Sequence, residues 1–120
     1  AEDRAKAFLS AMIAAAKADG HIDAEERARI FEKLEELEDD SEARDFVMDQ
    51  MMAPLDAGAI AALAYSQEQA VELYAASVMA ITMDHPSERV YLDTLADKLA
   101  IEEPLARMVE KAVKEEREAV

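Results

Sequence analysis

The sequence predicts an all-α domain of about seven helices in an orthogonal or bundle-like array. Three observations carry that reading. Apolar residues recur at three- and four-residue spacing along nearly the whole chain, the mark of helices with one buried face. Only two glycines and three prolines interrupt 120 residues, too few breakers for the many turns of a sheet-rich fold. Aromatic residues make up only 5% of the chain, and much of its 52% hydrophobic share is alanine. Alanine has the highest helix propensity, and its small side chain lets helices approach closely.

The first helix is expected over residues 3–18, with Phe8, Leu9, Met12, Ile13 and Ala16 on one stripe. Asp19 and Gly20 break it, Gly20 being free to take a left-handed cap conformation. Asp23 opens the second helix. With Glu26 it makes a capping box, in which the Asp carboxylate accepts from an orphan amide and Glu26 reaches back. Ile30, Phe31, Leu34 and Leu37 form the inner face there, while Glu32, Lys33, Glu35 and Glu36 face outward.

An acidic linker, 38–40, leads to Ser41 as the next cap. The third helix, 42–52, should bury Phe46, Val47 and Met51 and end before Pro54. Asp56 caps a short fourth helix that carries Ile60 and Leu63. Ser66 and Gln69 form a second capping box, opening a fifth helix over 67–82 with Val71, Tyr74, Val78 and Ile81. This most apolar segment is expected at the centre. Asp84, His85 and Pro86 make a break. Ser87 then reads as the cap of the sixth helix, with Tyr91, Leu92, Leu95 and Leu99 inward. Pro104 stands in the first turn of the last helix, where proline does least harm. Leu105, Met108, Val109, Ala112 and Val113 form its stripe, and the charged tail 114–120 is expected to fray. The methionines read as gap-fillers of the core.

Length and composition narrow the function. The chain is one domain, 1–120, and it opens within a helix, as a piece excised from a longer protein would. With no cysteine, neither a disulfide framework nor a thiolate metal site is available. A net charge of −15 opposes binding to nucleic acid or to an anionic membrane surface. The longest nearly apolar stretch, 73–83, is too short to span a bilayer.

Two stretches echo each other. Residues 14–27 run from Ala14 through Asp19 to Glu26-Arg27, and residues 78–89 run from Val78 through Asp84 to Glu88-Arg89. Each passes from an apolar helix through an Asp turn into a capped helix with a fresh apolar face. An imperfect duplication of a helical hairpin explains the likeness and would bring the two acidic turns together.

The run Met12-Ile13-Ala14-Ala15-Ala16-Lys17-Ala18-Asp19-Gly20-His21-Ile22-Asp23-Ala24-Glu25-Glu26 resembles the signature of the TerB-like, tellurite-resistance type helical domains. Within them the chain is most similar to the YebE-type branch of bacterial inner-membrane proteins, and Tyr74 through Ile101 resembles the same branch. The resemblance implies a seven-helix fold and a cytoplasm-facing domain whose parent protein is associated with the inner membrane. It also implies a part in envelope stress responses and a divalent metal held by acidic residues. The matching positions are Asp19, Asp23 and Glu26, with Asp84 and Glu88 from the second turn.

The residues themselves leave two readings of those acids open. Asp19 through Glu26 matches the second half of an EF-hand loop, but Ala15 and Lys17 stand where two oxygen ligands belong, so an EF-hand is rejected. Carboxylates from both turns could instead share one Ca²⁺ or Mg²⁺, ions that suit oxygen-only ligands. Alternatively the same residues serve only as turn and caps, and no cofactor is needed. No catalytic constellation is visible either. His21 and His85 have no nucleophile beside them, and Ser41, Ser66 and Ser87 read as caps. The expectation is therefore a non-enzymatic interaction or scaffold domain with an unknown protein partner. A divalent-metal regulatory module is the alternative.

Overall fold

The computed structural model describes residues 2–19, 22–37, 41–81 and 86–118. Among these the chain forms seven α-helices and no strand. They are α1 (Glu2–Ala16), α2 (Ala24–Leu37), α3 (Ser41–Met52), α4 (Ala57–Ala61), α5 (Gln67–Ala80), α6 (Pro86–Lys98) and α7 (Glu103–Glu118), with a single 3-10 turn, Lys17–Asp19, after α1.

Helix α5 is central, as its composition demands, but α1 shares that place. The two pack along most of their lengths through small residues. Ala11, Ala14 and Ala15 of α1 and Ala76 and Ala80 of α5 are all buried. The Ser77 hydroxyl lies 3.0 Å from the Leu73 carbonyl of its own helix and 3.2 Å from that of Ala11 across the seam, so the backbones approach closely. Larger side chains close the core around this seam. Leu9, Ile13, Ile30, Val47, Tyr74, Ile81, Leu92 and Leu95 are fully enclosed. Burial of such area contributes roughly 25 cal/mol per Å².

The Asp56 and Ser66 caps form as expected, although the return arm of the Ser66 box reaches one residue further back than a capping box requires. Asp56 Oδ1 accepts from the Ala59 amide, and Ser66 Oγ accepts from the Gln69 amide while Gln69 Oε1 accepts from the Tyr65 amide. Other expectations need correction. Helix α6 begins at Pro86, so Ser87 lies inside its first turn and does not cap it. Gly20 and the linker 38–40 lie outside the described residues. Helix α7 continues to Glu118, well into the segment expected to fray. Leu63 and Met108 are exposed, and Ala112 faces solvent with Met108. Of the described methionines only Met12 is buried. Met48, Met52 and Met108 stand in solvent, so core filling is not their common role.

Three polar ties hold the outer helices. Glu110 of α7 accepts two hydrogen bonds from Arg89 of α6, at 2.8 and 2.9 Å, and one from the Tyr74 hydroxyl of α5 at 2.5 Å. Lys17 Nζ donates to the carbonyls of Gln50 and Ala53, at 2.7 and 2.5 Å, and so caps the end of α3. The last carbonyls of α5 are capped from outside the helix: Arg117 donates to Val78 and Met79, and Arg29 to Ala80.

Candidate functional site

The acidic corner begins with the capping box of α2. The Glu26 amide donates to Asp23 Oδ1 at 2.7 Å, and the Asp23 amide donates to Glu26 Oε1 at 3.1 Å. Asp23 stays in solvent, but the return arm of the box carries Glu26 inward, leaving it 1% exposed. Glu88, in the first turn of α6, is 0% exposed, and the two carboxyl groups are hydrogen-bonded to each other. Each residue immediately precedes an arginine in its half of the internal echo, so equivalent positions of the two hairpins meet.

Two carboxyls that share a hydrogen bond must hold a proton between them. Burial pushes the Glu26 carboxyl up to about 7, the Asp23 amide pulls it down, and the hydrogen bond and charge of Glu88 raise it again. The pair is therefore poised to exchange its proton near neutral pH.

Of the five acids singled out from the sequence, the structure brings Glu26 and Glu88 together and seats Asp23 beside Glu26. The Asp19 side chain and the whole of Asp84 lie outside the described residues, as do His21 and His85. Among the described residues no three Asp, Glu or His side chains gather as a ligand set. Lys17, which stands where an EF-hand would need an oxygen ligand, turns instead to α3. Burial lowers its pKa.

Two other surfaces are shaped for contact. One is a cavity of about 420 Å³ whose wall includes Phe46, Ile60, Leu63, Tyr65 and Gln69. The other is a cleft of about 290 Å³ floored by Met12, Met79 and Val113, with Arg29 and Arg117 at its edge. Sequence reasoning missed both arginines, because each caps a helix remote in the chain and leaves no local pattern. The Glu26–Glu88 pair had a signal, the repeated Glu-Arg step. No helix among the described residues is long and apolar enough to cross a membrane.

The chain is 29% identical over 119 residues to an "Uncharacterized protein in ampR 5'region" of Yersinia enterocolitica, an alignment covering 99% of the chain and 86% of that protein. No solved structure matches it. A family model matches residues 1–113, nearly the whole chain, and the chain therefore belongs to the family described as "Protein of unknown function (DUF533)".

Proposed function

We propose that this chain is a non-enzymatic protein-interaction domain, displayed on the cytoplasmic side by a parent protein of the bacterial inner membrane and serving in envelope stress responses. One observation carries the interaction reading. Among the described residues seven large apolar side chains stand exposed, and five of them, Met48, Met52, Leu55, Leu63 and Tyr65, fall in the stretch from α3 to the start of α5. Met52 is 84% and Tyr65 86% exposed, and Leu63 and Tyr65 line the 420 Å³ cavity. Leu63 and Tyr65 share that wall with Phe46, and exposed apolar groups gathered on one concave face mark a surface that a partner covers, whereas Met48 and Met52 lie on the other side of α3 and Leu55 lines a separate hollow. The charge of −15 favours a partner with a basic rim. The membrane setting and the stress response rest on the resemblance of the Asp19–Glu26 turn to YebE-type domains.

A photo-crosslinking residue at position 63 or 65 of the full-length parent protein, expressed in cells, tests this reading. The expected result is one discrete adduct from either position, none from Glu115 on α7, and loss of the position-63 adduct in the Tyr65→Glu variant. Equal adducts from all three positions would sink it.

The Glu26–Glu88 pair favours a second reading, a regulatory module in which Ca²⁺ or Mg²⁺ takes the place of the shared proton. Ca²⁺ takes six to eight oxygens. The fit is partial: two carboxylates meet, so Asp19 and Asp84 would have to supply further ligands, with Asp23 adding its remaining oxygen. Calorimetry on chelator-treated chain decides the matter, and absence of heat at millimolar Ca²⁺ and Mg²⁺ ends it.

A further inference from the structure

The cleft between α2 and α7 combines features that neither the interaction face nor the acidic corner uses. Its floor is apolar, made by Met12 of α1, Met79 of α5 and Val113 of α7. At its edge stand two guanidinium groups. Arg29 is held by Glu25 at 2.6 Å and by the Ala80 carbonyl. Arg117 spends one terminal nitrogen, Nη2, on the Val78 and Met79 carbonyls, while its Nε and Nη1 groups have no partner among the described residues. Burial, and after it the Arg29 charge, hold the Arg117 pKa below the usual arginine range. Two like charges are thus kept close at the mouth of an apolar slot, in a molecule whose net charge is strongly negative.

We propose that this cleft binds a small aliphatic monocarboxylate, its chain on Met12, Met79 and Val113 and its carboxylate on the unused N–H groups of Arg117 beside Arg29. The planar carboxylate matches the forked donors of a guanidinium, and it relieves the repulsion between the two arginines. Lys33 also lines the cleft, with its ammonium 5.0 Å from the Phe8 ring centre, and Glu32 and Glu116 complete the wall. Glu25 already pairs with Arg29, so the ligand's charge is met chiefly by Arg117, which suits a monoanion and disfavours a phosphate dianion. The volume of about 290 Å³ lies at the lower end for small-molecule sites, so the chain is short.

The test uses the whole 120-residue chain with ¹³C-labelled methionine methyl groups, titrated with octanoate and, in parallel, with octan-1-ol. Octanoate is expected to move the Met12 and Met79 signals saturably while those of Met48, Met52 and Met108 stay fixed, and octanol to bind about tenfold more weakly. Arg117→Gln is expected to weaken octanoate about tenfold and leave octanol unchanged. Because Arg117 also caps α5, Arg29→Gln is measured beside it, with a smaller loss expected. Stationary Met12 and Met79 signals up to the solubility limit of octanoate overturn the proposal. So does equal affinity for acid and alcohol, a result that depends on neither variant.

Discussion

Glu26 and Glu88 are hydrogen-bonded carboxyl to carboxyl, each sealed from solvent at the start of its helix, α2 for one and α6 for the other. Glu26 keeps its proton up to about pH 7, far above the ordinary carboxyl value of 4.5. The folded chain therefore binds a proton that the unfolded chain has already released between those two values. Stability from this group is complete below pH 4.5 and is lost as pH rises through about 7. The loss is on the order of 3 kcal/mol. Glu26→Gln is expected to flatten that slope and to raise Tm at pH 8, since the amide still accepts from Asp23 and now donates to Glu88 without a proton. Thermal melts from pH 5 to 8 check it, and a variant with the wild-type slope contradicts it.

Ala100 is the one described non-glycine residue with a positive φ, 59°. It ends α6, where its amide donates to the Asp97 carbonyl and the Ile101 amide donates to Ala96. A Cβ in the left-handed region costs about 1 kcal/mol, which glycine avoids. Ala100→Gly should therefore raise Tm by about 3–6 °C. A lower Tm would show that chain entropy outweighs the relief.

Glu110 joins three helices through Tyr74 and Arg89, and those two partners, with Arg107, hold its carboxyl down at about 2 against the cost of burial. Its contribution is present above pH 4.5 and disappears as pH falls towards 2. Glu110→Gln leaves the half-buried Arg89 with Asp93 alone among its acidic partners. The expected cost is about 2–3 kcal/mol at pH 7, shrinking in acid, as read from urea melts at pH 7 and pH 3.

Lys17 supplies the cap that α3 lacks locally. Lys17→Met keeps the aliphatic stem and removes both bonds to the Gln50 and Ala53 carbonyls. A loss of about 1–2 kcal/mol is expected, with faster hydrogen exchange confined to the last turn of α3. Unchanged exchange there would show that water caps the helix as well as the ammonium does.

Helices, their order and most caps were legible because they depend on neighbours in sequence. The Asp23–Glu26, Asp56 and Ser66–Gln69 caps all involve residues within four of each other. The errors about burial share one cause. Periodicity identifies an apolar face but not whether another element covers it. Leu63 falls in the turn that follows α4, and Met108 on the flank of α7 beside buried Val109, and both stay in solvent. At the acidic corner, the repeated Glu-Arg step pointed to both glutamates, but sequence spacing does not register burial, and the proton they share is a product of burial. The Arg29 and Arg117 caps on α5 join residues remote in sequence, so no window along the chain contains them.

The alanine seam between α1 and α5 sets what the molecule is able to do mechanically. Its contacts are alanine methyl groups, the Ser77 hydroxyl and backbone, small groups with few rotamers to change, so it offers little alternative packing to switch into. The two hairpins are thereby riveted, and any response to a partner, ion or small molecule has to be expressed by the peripheral helices moving over a fixed spine. Bulkier residues along that line would wedge the halves apart, and drift in the sequence should be tolerated least there.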